Sequence, residues 1–175
     1  RNHSSAASDV YKRQGNIIRQ GEYAMGYHTN GAVKREEQYR RGKEDGLMVE
    51  YDAQGNIIRQ GEYAMGYKEG PWLYTVNDHT EEGHYIDSEK HGVWVHTYDN
   101  GQLNFKGEFA GGIRQGKHTW YYRNGQVKLE GKYKSGERHG NWTYFQQSGE
   151  PRMIIRYKLG EEFKIDGVKT SLGKQ

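Results

Sequence analysis

The 175-residue chain contains no cysteine, only two prolines and few aliphatic residues. Without cysteine, a disulfide framework and a thiolate zinc site are both excluded, and the redox compartment stays undetermined. A mean hydropathy of -1.16 and 28% charged residues leave no apolar run long enough for a transmembrane helix. These shortages exclude the disulfide-rich and the membrane-spanning classes of protein.

Neither sign of charge dominates the sequence. The chain has 26 Lys and Arg against 23 Asp and Glu, interleaved along its length, for a formal net charge of +3. Nucleic-acid binding needs a basic patch, and peripheral membrane binding needs a basic face beside exposed aromatics. We therefore expect no nucleic-acid partner, and the same interleaving disfavours a membrane partner.

Glycine and aromatic residues are abundant instead. The 25 glycines, 15 tyrosines and four tryptophans replace the missing aliphatic core with rings and bare backbone. Aromatic residues favour strands and glycines favour turns. The composition therefore indicates β structure with many turns.

The start of the chain differs from the rest. Residues 1–14 (RNHSSAASDVYKRQ) share no pattern with the remainder of the sequence and resemble adapter-derived translations at the ends of metagenomic reads, so we interpret them as non-native or disordered. The segment 14–27 recurs letter for letter at 54–67, and residues 15–30 are therefore predicted to be a partial or duplicated repeat.

An internal repeat of about 24 residues organises residues 31–160. Each unit has a glycine at its start, an aromatic eight residues later and a second glycine eleven residues after the first. A unit shortened to 22 residues begins at His79. The remaining residues, 161–175, form a polar tail with room for one last strand. The starting glycines are Gly31, Gly55, Gly101, Gly125 and Gly149.

Alternation within each unit predicts the fold. Apolar residues and glycine alternate with polar residues along 126–133, as expected for a strand with one apolar face, and Asn-Gly pairs mark hairpin turns. We therefore predict an all-β fold: an elongated, single-layer antiparallel β-meander of tandem 24-residue hairpins. Its rings would lie across neighbouring strands, above the glycines at 61, 83, 107 and 131. Within this frame, Trp120 is interpreted as the repeat tryptophan shifted by two residues.

Histidines and carboxylates do not form a recognisable catalytic or metal-binding motif. His91 and His139 each precede a turn glycine, which indicates a role in the repeat. His84, His96 and His118 have the spacing to approach one another across strands, but no acidic residue at matching spacing completes a ligand set. We predict no catalytic residue, no cofactor and no metal ligand, with a lone zinc site as the alternative.

A stripe of aromatic residues gives the candidate partner-binding surface. The rings are predicted to share one face of the sheet, where they either form the core or remain exposed as a ligand surface, since large aromatics dominate binding hot spots. The candidates are Trp72, Tyr74, Trp94, Trp120, Tyr122, Trp142 and Tyr144.

Several segments resemble a known repeat family. GERHGNWTYF, GGIRQGKHTWYY, DNGQLNFKGEF and RNGQVKLEGKY are similar to the bacterial variant of the MORN (membrane occupation and recognition nexus) repeat. The resemblance implies an antiparallel β-meander that serves as an interaction scaffold, and some bacterial members resemble antitoxins or immunity proteins. It supplies no catalytic residue.

We therefore expect a non-enzymatic protein-binding module, either a scaffold or an antitoxin-like protein whose partner is a toxin. The alternative is a surface or membrane-associated module. GKHTWYYRNGQVKLEGKY resembles choline-binding hairpins, in which aromatics cage a quaternary ammonium. The sequence leaves the compartment undetermined, with the cytoplasm slightly favoured.

Overall fold

The structure is a computed structural model, and it describes residues 17–20 and 22–167. The predicted non-native segment 1–14 lies outside the described residues. Strands and turns account for the whole described part of the chain, which contains no helix. The prediction of an all-β fold is confirmed.

Fourteen strands follow one another in chain order in one open antiparallel sheet, so that sequence neighbours are also sheet neighbours. Hairpin connections of two to five residues make this meander the direct consequence of the repeat. The strands are β1 (Ile17–Gln20), β2 (Tyr23–Tyr27), β3 (Val33–Arg40), β4 (Lys43–Tyr51), β5 (Ile57–Ala64), β6 (Tyr67–Val76), β7 (His79–Ile86), β8 (Glu89–Tyr98), β9 (Leu103–Ala110), β10 (Ile113–Tyr121), β11 (Val127–Lys134), β12 (Glu137–Phe145), β13 (Pro151–Lys158) and β14 (Glu161–Gly167).

The chain divides into two compact units. The first runs to Thr75 and includes Tyr85–Ser88, whereas the second comprises Val76–His84 and the chain from Glu89 onwards. The hydrophobic core of the second unit includes Tyr133, Trp142, Ile155 and Tyr157, with further half-buried apolar side chains packed against it. This core lies on one face of the sheet, as a single layer requires.

The tight turns of successive hairpins are tied to one another. The turn Ser135–Gly136 has positive φ at both residues, 50° and 86°, which is the conformation of a type I′ turn that matches the twist of the strands. The Gly136 N–H then donates to the Arg114 carbonyl of the preceding hairpin at 3.0 Å, and the Gly160 N–H donates to the Arg138 carbonyl at 2.9 Å. Each hairpin is thus held to its predecessor beyond the strand ladder.

Three tryptophans each lie over a glycine of the preceding strand. A Cβ added at Gly131 would lie 2.3 Å from ring atoms of Trp142, and Gly83 has the same relation to Trp94. The Trp142 indole N–H donates to the Lys132 carbonyl at 3.3 Å, one residue beyond the glycine. The same arrangement recurs in the first unit with Gly61 and Trp72, so rings do lie above glycines as predicted.

His118 fills this place in the repeat where the sequence interpretation put Trp120. The His118 ring lies over Gly107, fully buried, among Phe105, Phe109 and Tyr133. Trp120, two residues later, packs instead beside Trp142 with ring centroids 5.8 Å apart. Trp120 contacts the rings of Phe105, His118 and Trp142, so its shift of two residues keeps it on the same face as predicted. The place over the glycine belongs to His118, because an imidazole is a flat ring that also fits over a bare backbone.

The duplicated segment adopts two different structures. In the second copy, Met65 and Gly66 form the turn between β5 and β6. In the first copy, the equivalent Met25 and Gly26 lie inside β2 and pair with β3. The same local sequence therefore adopts different structures because the two copies pair with different strands. Tertiary context overrides the local preference here.

Candidate binding surface

The candidate aromatic residues differ in exposure. Trp94 and Trp142 are 0% exposed and Trp72 is 2% exposed, so these indoles form the core. Tyr74, Trp120 and Tyr144 are half-buried. Only the half-buried rings offer surface to a partner. The fully buried tryptophans therefore belong to the core, and the half-buried rings are the candidates for a ligand surface.

Tyr122 is placed apart from the other six. A register shift between Trp120 and Tyr121 interrupts the alternation, and β10 ends at Tyr121. Tyr122 lies in the following turn, where its hydroxyl donates to the Phe145 carbonyl at 2.8 Å. Tyr98 makes the equivalent bond to the Tyr121 carbonyl at 3.1 Å. These tyrosines join successive turns along one edge.

Three cations of the second unit lie over the aromatic face. Lys90 Nζ is 3.8 Å from the ring centroid of Trp94, and Arg138 Cζ is 4.5 Å from that of Trp142. Arg114 Cζ is 5.3 Å from the centroid of Tyr133. The residues are 24 positions apart in sequence, four residues before the side chain that covers the glycine. We call Lys90, Arg114 and Arg138 the cation row.

The arginines of the cation row are held in place by tyrosine hydroxyls. Arg114 Nη1 donates to the Tyr133 hydroxyl at 3.0 Å, and Arg138 Nη1 donates to the Tyr157 hydroxyl at 3.0 Å. Each bond spans 19 residues, so the same motif is repeated in consecutive hairpins. Arg114 is exposed and Arg138 is half-buried. Positive charge is thus held beside aromatic rings in two consecutive hairpins.

Lys90 is the most shielded end of this row. Burial against Trp94 and Phe109 lowers the pKa of the Lys90 ammonium, partly offset by Glu81, whose carboxylate is 3.9 Å away. An ammonium over an indole gains cation–π stabilisation that grows with desolvation. The lysine therefore combines a charge with an apolar contact in one place.

The opposite face of the second unit carries a separate set of exposed lysines. Lys117 pairs across the strands with Lys132, and Lys106 pairs with Thr119. A shallow depression is lined by Lys117, Glu130, Lys132 and Asn141. Lysines and glutamates alternate here, in contrast to the cation row.

The cation row was not predicted from the sequence. Basic and acidic residues are interleaved along the chain, whereas Lys90, Arg114 and Arg138 lie together over the aromatic rings of one face. The signal was nevertheless present, because a basic residue recurs four positions before each of Trp72, Trp94, His118 and Trp142. Lys68, 4.6 Å from the Trp72 ring centroid, is the equivalent cation of the first unit.

Of the three histidines expected to approach one another, His96 and His118 contact the same ring, that of Phe105. His118 is buried among phenylalanine and tyrosine rings, and burial lowers its pKa below the ordinary value of 6.5. His84 is exposed, whereas His96 stacks on His79 with centroids 5.5 Å apart. His79 was not among the histidines expected to meet.

Transmembrane helices are absent from the part of the chain that the structure describes: none of its elements has the length and hydrophobicity that such a span needs.

Comparison with known proteins identifies the repeat. The family model described as the MORN repeat variant matches residues 44–65, 90–110 and 114–135. A search of curated proteins found no match to this chain. Each matched segment begins at the second residue of a strand that follows a tight turn, and these first residues are Glu44, Lys90 and Arg114. These three segments are therefore similar to the MORN repeat variant, and repeats of that family commonly serve as binding modules.

Proposed function

We propose that this chain is a non-enzymatic binding module that takes an acidic protein surface on the aromatic face of its second unit. The cation row is the observation that carries the proposal. It places Lys90, Arg114 and Arg138 on one face, at equivalent positions of consecutive hairpins, next to half-buried rings.

The chemistry of the row suits carboxylates. A guanidinium has five N–H donors in a rigid fork, so a bond to one or two hydroxyls leaves donors for a bidentate contact with a carboxylate. Contacts with rings and hydroxyls hold the Arg114 and Arg138 side chains before a partner arrives. Side chains ordered in advance reduce the entropy lost on binding, which strengthens association.

Neighbouring aromatics supply the apolar part of such an interface. Trp120 and Tyr144 are half-buried on the same face, and tryptophan, tyrosine and arginine are the residues enriched at binding hot spots. The resemblance to antitoxin and immunity proteins makes a toxin with an acidic surface the first partner to test. A scaffold client with the same surface chemistry is the other member of this class.

The choline-binding alternative needs open ring faces. A cage for a quaternary ammonium places the ligand cation against several aromatic faces. In the second unit, Lys90 and Arg138 already occupy positions over Trp94 and Trp142. This arrangement favours an anionic partner over a cationic ligand.

Charge reversal on the two faces tests the proposal. The row variant is Lys90→Glu, Arg114→Glu and Arg138→Glu. Its control reverses Lys106, Lys117 and Lys132 on the opposite face, which changes the net charge by the same amount. We expect wild type and control to capture the same stoichiometric protein from native extract, and the row variant to lose it.

Three results would contradict the proposal. The first is equal capture by both variants, and the second is loss in the control alone. In the third, all forms capture no protein while wild type sediments with vesicles of anionic phospholipid and the row variant does not. That third outcome would assign the same cations to a membrane surface. Near-ultraviolet circular dichroism of each variant establishes that the aromatic face is still folded.

A further inference from the structure

A cluster of two histidines and one glutamate lies in the second unit, outside the cation row. His79 and Glu81 are on β7 and His96 is on β8. One ligand atom of each residue lies within 4.8 Å of the other two. All three side chains are largely shielded from solvent, with 18%, 24% and 18% of their surface exposed.

In the two hairpins that follow, apolar residues stand at the positions of these three residues. Counted from the covered glycine, the next hairpin has Leu103, Phe105 and Trp120 at the three positions, and the one after has Val127, Leu129 and Tyr144. Phe105 pairs with Trp120 and Leu129 pairs with Tyr144 across the strands. Potential metal ligands therefore replace apolar residues at all three positions, two of which pair across the strands in the later hairpins.

The distances suit a small divalent cation. His79 Nε2 is 3.4 Å from one Glu81 carboxylate oxygen, and His96 Nε2 is 3.7 Å from the other. Two ligands bound about 2.0–2.1 Å from a tetrahedral zinc ion lie about 3.4 Å from each other. Both imidazoles thus direct Nε2 towards one carboxylate at nearly the spacing that zinc imposes.

The Nε2 atom of the His96 imidazole is buried and has no hydrogen-bond partner among the described residues. A buried polar atom without a partner costs free energy, and bonding to a metal ion would remove that cost. The ring itself is fixed by contacts with Phe105 and His79, at centroid distances of 4.7 and 5.5 Å.

An outer carboxylate orients the other histidine. Asp78 Oδ1 is 3.1 Å from His79 Nδ1, the nitrogen that faces away from Glu81. Asp78 is in turn held by Arg123 at 2.6 Å. Histidines that bind metals usually donate their second N–H to a carboxylate, which fixes the tautomer and the ring orientation. The cluster has this outer partner in place.

We infer that His79, Glu81 and His96 form a binding site for a divalent cation of the zinc type, with the fourth position open to water or to a partner's ligand. Two imidazoles and one carboxylate are the ligand set of zinc sites that keep an open position. This inference departs from our sequence-based expectation of no metal ligand. The sequence contains no sign of this cluster, because His79, Glu81 and His96 have no motif spacing and meet only through the pairing of β7 with β8.

Titration of the full chain with Zn²⁺ tests the site, first by calorimetry and then by the visible absorption of Co²⁺ as a zinc substitute. We expect one Zn²⁺ per chain and no response to Mg²⁺. Glu81→Gln keeps the shape of the side chain and should weaken binding by more than the about 10–100-fold typical of an outer partner, whereas Asp78→Asn should fall within that range. His84→Ala removes an exposed histidine of the same strand and should leave the affinity unchanged.

A repeat-derived variant protects the test against loss of folding. His79→Val, Glu81→Leu and His96→Tyr introduce the residues of the hairpin at 127–144, so this variant should fold and should bind no zinc at the site. Absence of Zn²⁺ binding by wild type would overturn the inference. So would equal affinities of Glu81→Gln and His84→Ala, or a Co²⁺ spectrum that the repeat-derived variant retains. Each of those results would leave the cluster as an ion pair between Glu81 and Lys90.

Discussion

Replacement of Gly131 by alanine is the sharpest perturbation of the repeat. Gly131 is buried in β11 beneath the Trp142 indole, and an added Cβ would lie 2.3 Å from two ring atoms. Real carbon atoms do not approach so closely, so the ring or the strand must move. Because Trp142 is fully buried and donates to the Lys132 carbonyl, movement of the ring also stretches a hydrogen bond.

The magnitude follows from two limits. An extra methyl group in a packed core costs about 1–3 kcal/mol, and complete loss of a buried tryptophan costs about 3–5 kcal/mol. Removing a strand glycine gives back about 0.5–1 kcal/mol of backbone entropy. We expect a net loss of about 2 kcal/mol in the free energy of unfolding, which corresponds to a fall in Tm of about 4–8 °C for a chain of this size.

Denaturant unfolding followed by tryptophan fluorescence and near-ultraviolet circular dichroism measures the effect. Gly26→Ala is the matched control, because Gly26 also lies in a strand and its added Cβ would meet only Arg35, with Cβ at 3.8 Å. A double-mutant cycle isolates the cause. In a Trp142→Ala background the cost of Gly131→Ala should disappear. A cost that persists there, or equal effects at Gly26 and Gly131, would refute the reasoning.

Three further predictions concern other parts of the repeat. Burial lowers the pKa of His118, so the unfolded chain binds the proton more tightly; stability should be complete above the ordinary pKa of 6.5 and decrease as the pH falls below it. His118→Phe should flatten that part of the pH profile in thermal melts between about pH 7.5 and about pH 5, and an unchanged slope would contradict the assignment. Tyr122→Phe removes the bond to the Phe145 carbonyl and should cost about 0.5–1.5 kcal/mol in denaturant unfolding, and a neutral result would show that this turn contact is not formed. Trp120 is half-buried and Trp142 is fully buried, so Trp120→Ala should cost less stability than Trp142→Ala, and the reverse order would contradict their placement.

The regular part of the fold could be predicted because the same sequence patterns recur in several units of the repeat. Alternation of apolar and polar residues gives strands, and Asn-Gly pairs give turns. A glycine opposite an indole is visible once the hairpin frame is known, as with Gly131 and Trp142. Each of these signals is local or spans one hairpin.

Errors and omissions in the sequence-based predictions arise in two situations. In one, a different residue type takes the place of the repeat tryptophan; in the other, a contact depends on the register of strand pairing. His118 performs the role of an indole, and a search for tryptophan overlooks it. Tyr122 lies away from the aromatic face because a register shift follows Trp120, and no residue type in the sequence indicates that shift. The first copy of the duplicated segment pairs differently from the second because its neighbours differ.

The candidate sites depend on which charged side chains share a face of the sheet. The sheet divides the basic residues between its two faces: Arg114 pairs with Phe109 on the aromatic face, and Lys117 pairs with Lys132 on the other. Strand alternation fixes this sorting, so it can be predicted once the frame is certain. The meeting of His79, Glu81 and His96 requires the pairing itself.

The central claim is that the indoles lie flat over strand glycines and so build the aromatic face. Proton NMR tests it directly, since the field above an indole ring shifts nearby protons upfield. We predict strongly upfield-shifted Hα resonances for Gly61, Gly83 and Gly131, with an ordinary shift for Gly26. Ordinary shifts at all four glycines would contradict the account.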